Sequence, residues 1–141
     1  MTGRERDGTP AGGEPVGLYL HIPFCRSKCP FCDFCSFPRP DAAMVEAYVD
    51  DRIRCIRLSG AAEAAAAGGV QALDTVYIGG GTPTLLTPSQ AARLMEAVHA
   101  AFFVLPDAEV TVEGNPAALT AEGLAAFRAG GVNRLSLGVQ S

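Results

Sequence analysis

Residues 19–37 read Tyr19-Leu20-His21-Ile22-Pro23-Phe24-Cys25-Arg26-Ser27-Lys28-Cys29-Pro30-Phe31-Cys32-Asp33-Phe34-Cys35-Ser36-Phe37. Four of the five cysteines of the chain, Cys25, Cys29, Cys32 and Cys35, stand within eleven positions there. Thiols this dense in an otherwise ordinary composition ask for a metal. The first three are spaced C-x3-C-x2-C, which can wrap three thiolates around one compact inorganic object. Iron–sulfur clusters take Cys thiolates at such close spacings, although ferredoxin runs use C-x2-C-x2-C with a remote fourth ligand. A four-iron cubane tied to protein through three irons leaves the fourth open to a small molecule. A zinc site built from all four thiolates is chemically open as well. Zinc usually wants its second cysteine pair on a separate knuckle, and none follows here. Disulfides or inert thiols are the remaining alternative.

The other properties of the chain bound the answer. Its 141 residues suit one domain, and a chain of this size buries roughly 70% of its extended surface. Apolar residues make up 48% of it, enough for a core. The net charge of −4 and the pI near 5.1 argue against a nucleic-acid partner. Only Lys28 among the eleven basic residues is a lysine, so Schiff-base chemistry has one poor candidate. No apolar run is long enough to span a bilayer, so membrane association is not indicated. Residues 1–15 are rich in Gly, Pro and charge, have no apolar h-region, and read as a flexible tail. Clustered thiols fit a reducing compartment, and the expected location is the cytoplasm.

Residues 16–141 alternate strand and helix signals. Val16–Ile22 reads as a mostly apolar strand suited to burial on both faces, stopped at Pro23. Asp41 can cap a helix from Ala42 whose inward positions are Val45, Tyr48, Val49, Ile53 and Ile56. Asp50 and Arg54 form an i,i+4 pair on it. Cys55 reads as a small buried thiol. Ser59-Gly60 is expected to break the helix before the alanine run 61–67, which Gly68-Gly69 end. Leu73–Ile78 is a second strand, leading directly into Gly79-Gly80-Gly81-Thr82-Pro83-Thr84. Thr87 then caps a helix with Pro88 at its first position and Ala91, Leu94, Met95, Val98, Ala101 and Phe102 inward. Glu109–Glu113 is a third strand ending at Gly114-Asn115-Pro116. Thr120 caps a short helix carrying Leu124 and Phe127, and Val132–Val139 is a fourth strand.

This order predicts right-handed crossovers and a parallel sheet, whose ligand sites lie at the carboxyl ends of the strands. Each suspect motif falls at such an end: the cysteine loop, the glycine loop, Glu113 and Gln140. The Gly79-Gly80-Gly81 backbone can approach a ligand closely. Its amides and Thr82 can meet the carboxylate or amino group of an amino-acid-like cofactor. The string is neither a P-loop nor a dinucleotide fingerprint, and a bare Gly triplet is more often a tight turn. His21 is left structural beside the cysteine loop. His99 reads as an ordinary helix residue.

C-x3-C-x2-C with Phe31 just before the third cysteine resembles the signature of the radical S-adenosylmethionine (SAM) superfamily. The fuller strings L-Y-L-H-I-P-F-C, G-G-G-T-P-T, T-V-E-G-N-P and N-R-L-S-L-G-V-Q-S are similar to the branch that holds oxygen-independent coproporphyrinogen III oxidase and the heme chaperone HemW. The resemblance implies an α/β fold whose parallel β/α units form the first part of an incomplete TIM-like barrel, residues 16–141 being its N-terminal portion. It implies that Cys25, Cys29 and Cys32 ligate a [4Fe-4S] cluster. S-adenosyl-L-methionine would chelate the open iron and meet Tyr19, Phe31, Gly80, Gly81, Thr82, Glu113 and Gln140. The chemistry implied is reductive C–S cleavage to methionine and a 5′-deoxyadenosyl radical, fed by an electron donor protein of flavodoxin or ferredoxin type. The oxidase branch carries a fourth cysteine just after the third, where this chain reads Asp33-Phe34. The C-D-F string and short lead-in look more like HemW, which implies heme as cargo and a heme-acceptor protein as partner. The oxidase is the first alternative, a zinc-binding module the second.

Overall fold

The computed structural model describes residues 13–25, 37–38 and 41–138, with Cys25, Phe37 and Pro38 described by their backbone alone. The elements run β1 (Val16–Ile22), β2 (Phe24–Cys25), β3 (Phe37–Pro38), α1 (Ala42–Ala67), β4 (Ala72–Gly80), α2 (Pro88–Ala101), β5 (Phe103–Gly114), α3 (Ala121–Ala129) and β6 (Arg134–Leu137). Strands β1, β4, β5 and β6 form one sheet in that order, parallel throughout. Neighbours in sequence are therefore neighbours in space, with no reversal of strand order. This is the start of a β/α barrel rather than a doubly wound sheet.

The helix starts follow from their capping chemistry. Asp41 accepts from the Met44 amide at 2.7 Å, and Thr87 and Gln90 complete a reciprocal capping box. Thr120 accepts from the Gly123 amide at 3.0 Å. Gly68, at φ 75°, closes α1 in the left-handed conformation.

Two local expectations on α1 give way to packing. The helix runs unbroken through Ser59-Gly60. Gly60 is buried where α1 meets α2, and a Cβ there would lie 2.6 Å from the Ala101 Cβ. The missing side chain serves a close helix crossing, not a helix end. Asp50 pairs across to Arg93 of α2, which also holds Glu46, rather than along α1 to Arg54. Gln90 donates to Glu46 at 2.8 Å. That bond first, then Arg93, holds the Glu46 carboxyl below its usual range.

Among the described residues the core lies on one side of the sheet. Leu20, Ile22, Val76, Ile78, Val110 and Val112 face Val49, Ile53, Leu94, Met95 and Val98 of the helices. The intervening strand positions point the other way. Register places Tyr19 beside Tyr77, Tyr77 beside Thr111, and Thr111 beside Arg134. This second face also carries His21, Glu109, Glu113 and Ser136. It is polar and aromatic where an ordinary barrel interior is filled by Val, Ile and Leu. The two-sided burial expected for β1 is thus corrected: Tyr19 is 56% exposed while Ile22 is 1% exposed. The physical reason is that, among the described residues, helices α1 and α2 pack on the opposite face and leave the Tyr19 side of β1 uncovered. No helix among the described residues is long and apolar enough to cross a membrane.

Candidate functional site

The ends of β1, β4 and β5 are knitted together by backbone bonds. The Gly81 amide donates to the Ile22 carbonyl at 2.7 Å and the Thr82 amide to the Phe24 carbonyl at 2.6 Å. The glycine loop is thereby fastened to Ile22 and Phe24, which flank Pro23 just before Cys25. Strand β2 pairs with β3, with Cys25 opposite Pro38, so both ends of the cysteine-bearing segment meet at this edge of the sheet. The Tyr48 hydroxyl reaches from α1 to the His21 carbonyl at 2.6 Å, and its ring meets Phe24 edge-on at 5.1 Å. Tyr48 thus locks the strand end that leads into the cysteines. Of the proposed ligands, Cys25 begins at this edge, while Cys29, Cys32, Cys35 and the neighbouring Phe31 lie outside the described residues, as does Gln140.

Gly80 takes φ 118°, where a side chain is strained. Its amide donates to Glu113 Oε2 at 3.2 Å. The amides of Gly80, Gly81 and Thr82 are therefore all engaged inside the protein. Of the two groups the loop was expected to receive, this disfavours a carboxylate, which needs free amides. An amino group, which needs acceptors, is the better fit.

Glu113 sits at the end of β5 on the inner face, with its second oxygen, Oε1, accepting from the Tyr77 hydroxyl at 2.5 Å. Tyr77 stacks on Tyr19 with ring centroids 6.1 Å apart. The Tyr19 hydroxyl lies 3.0 Å from His21 Nδ1. The hydrogen bond to Glu113, then burial, pushes the Tyr77 phenol above its ordinary value; burial first, then Glu113, does the same to Tyr19. Both phenols stay protonated at neutral pH, and Tyr77 donates to Glu113. Tyr19, Gly80, Gly81, Thr82 and Glu113 are thus brought to one sheet end, as the motifs implied. Tyr77 was missed. Its signal lay in the period-two alternation of β4, which puts residue 77 on the same face as Tyr19.

His99, read as an ordinary helix residue, lies with Nε2 2.7 Å from the Gly130 carbonyl and ties α2 to the end of α3. Cys55 is partly exposed rather than buried, and Arg52 Nη2 lies 3.5 Å from its sulfur.

The model of the radical SAM superfamily matches residues 19–141. The chain belongs to the radical SAM superfamily. It is 40% identical over 132 residues to the heme chaperone HemW of Mycobacterium tuberculosis, covering 94% of this chain and 33% of that protein. It is 44% identical over 133 residues to the oxygen-independent coproporphyrinogen III oxidase of Bradyrhizobium diazoefficiens, covering 94% and 28%. A bovine relative, the mitochondrial radical S-adenosyl methionine domain-containing protein 1, is 40% identical over 133 residues, covering 92% and 28%. Among solved structures, coproporphyrinogen III oxidase (HemN) from Escherichia coli superposes with a TM-score of 0.80 at 34% identity, covering 89% of this chain and 28% of that one. The chain therefore spans about a third of the length of these relatives and carries the N-terminal portion of the radical SAM fold.

Membership brings a [4Fe-4S] cluster and S-adenosylmethionine as the superfamily's general cofactors. The residues present fit them. Three close thiols suit a cluster with one open iron, and the start of their segment at Cys25 lies beside a carboxylate, two phenols and a glycine turn.

Proposed function

We propose that Cys25, Cys29 and Cys32 hold the cluster and that the protein is a HemW-like heme chaperone, binding heme and handing it to acceptor proteins. The observation that carries the cofactor part is the fastening of the glycine loop to Ile22 and Phe24, which sets Gly80, Glu113 and Tyr19 beside the start of the cysteine segment. When bound, the cluster and S-adenosylmethionine supply one-electron chemistry. The chain's own part is to orient the cofactor. Glu113 presents a fixed carboxylate at the rim, Tyr19 offers an aromatic surface, and the glycine turn allows close approach. Phe31 and Gln140 complete the contacts. A flavodoxin- or ferredoxin-type protein is the proposed electron donor, and the cytoplasm the proposed location.

The heme part is supported by likeness to HemW over nearly the whole chain and by Asp33-Phe34 after the third cysteine. The oxidase is the second reading, favoured by the similarity to the Bradyrhizobium enzyme and to the E. coli structure. The complete protein, reconstituted anaerobically, distinguishes them. Heme binding and transfer to an apo-acceptor, without decarboxylation of coproporphyrinogen III, is the expected result. Decarboxylation dependent on S-adenosylmethionine selects the oxidase, and a zinc-only product rejects both.

A further inference from the structure

Tyr77 has no place in the motifs that identify the superfamily, yet its contact to Glu113, the one carboxylate at the strand ends among the described residues, is shorter than that of the Gly80 amide. Its hydroxyl donates to Glu113 Oε1 at 2.5 Å while the Gly80 amide donates to Oε2 at 3.2 Å. A glutamate at a strand end has three rotatable bonds, and two donors from different directions leave it one orientation. The packing is specific to this trio. A Cβ on Gly79 would lie 2.8 Å from Tyr77 Cε1 and 3.1 Å from Glu113 Cδ, so the glycine leaves the room that both side chains occupy. Both groups sit on the inner, ligand-facing side of the sheet, Tyr77 partly buried under Tyr19. A phenol is the right donor for the task. It is neutral, so it aims the carboxylate without cancelling its charge, as a lysine or arginine would. Each carboxylate oxygen keeps a further lone pair for a ligand hydroxyl or ammonium.

We propose that Tyr77 is a positioning residue for S-adenosylmethionine, holding Glu113 in the one orientation in which its carboxylate meets the cofactor; this rests on the cofactor reading above. Cofactor affinity is measured by titration calorimetry on the complete, anaerobically reconstituted protein, with iron content and circular dichroism recorded for each variant. Tyr77→Phe keeps the ring and its stacking. It is expected to weaken binding roughly ten-fold, as for loss of one hydrogen bond to a charged group, with iron content unchanged. In a Glu113→Ala background the same change is expected to add nothing, because the group it acts through is gone. Glu113→Asp, which keeps the charge but withdraws it from Tyr77, is expected to bind as weakly as Glu113→Ala. Wild-type affinity in Tyr77→Phe overturns the proposal. So do equal losses from Tyr77→Phe in both backgrounds, or full affinity in Glu113→Asp. Wild-type protein that carries the cluster but binds no S-adenosylmethionine overturns the cofactor reading itself, before any variant is compared.

Discussion

Gly80 and His21 share one space: a Cβ on Gly80 would lie 2.8 Å from His21 Nδ1 and 2.8 Å from the Ile22 carbonyl oxygen. The φ of 118° adds strain for any other residue. The second glycine of the loop is therefore required by backbone conformation and by contact with β1 at once. Gly80→Ala is expected to cost about 1–3 kcal/mol of stability and to detach the loop from the residues before Cys25. Urea unfolding with cluster content measured in parallel checks it, and wild-type values in both would show that the turn tolerates a side chain.

Gly60→Ala sets two effects against each other. Alanine is the better helix former by about 1 kcal/mol. Its Cβ, however, would meet the Ala101 Cβ at 2.6 Å and the Ala101 carbonyl oxygen at 2.7 Å. Backbone cannot yield as a flexible side chain does, so overpacking of about 1–3 kcal/mol should win. The expected net effect is a lower melting temperature. A higher one would mean that the helix crossing is looser than the contact distances say.

Alkaline pH should unfold this protein early. All three tyrosines are raised above the ordinary value of 10.0, Tyr19 and Tyr48 chiefly by burial and Tyr77 chiefly by its bond to Glu113. A phenol that holds its proton more tightly when folded contributes stability that is whole below the unfolded value. That stability is lost as pH rises through the folded one. Melting temperature should therefore decline above about pH 10, and the decline should be shallower in Tyr48→Phe. An identical slope in that variant would remove Tyr48 from the account.

The cysteines should divide three to one. Loss of Cys25, Cys29 or Cys32 opens a second iron, and each alanine variant of the complete protein is expected to lose most of its iron. Cys35→Ala should retain the cluster and its spectroscopic response to S-adenosylmethionine, because a fourth thiolate would compete with the cofactor for the open iron. Iron content and electron paramagnetic resonance of the four variants decide. Equal loss in Cys35→Ala would mean a closed four-thiolate site.

Much of the fold was legible in the residues because its signals are local. Asp41, Thr87 and Thr120 announce helix starts through bonds made within three residues, and Gly68 ends a helix through its own dihedral angle. The order of elements and the parallel sheet follow from alternation and connection length. The placing of Gly80 and Glu113 at one edge follows from each standing at a strand's carboxyl end, whereas Tyr19 stands mid-strand in β1 and joins them through its register with Tyr77. Cysteine spacing alone raised the metal hypothesis.

What local signals do not carry is pairing between segments. Gly60 looks like a helix breaker until Ala101 is set against it, and Asp50 looks like a partner for Arg54 until Arg93 arrives from α2. The amides of Gly80, Gly81 and Thr82 look free to bind a ligand until Glu113, Ile22 and Phe24 accept from them. Tyr77 became a member of the site only when register put it under Tyr19 and within 2.5 Å of Glu113, thirty-six positions away. Sequence by itself determined which residues sit at strand ends, because caps, turns and alternation act over a few residues. Only the tertiary structure decided which donors meet which acceptors there, because such bonds join atoms that chain separation leaves unrelated until the sheet is assembled.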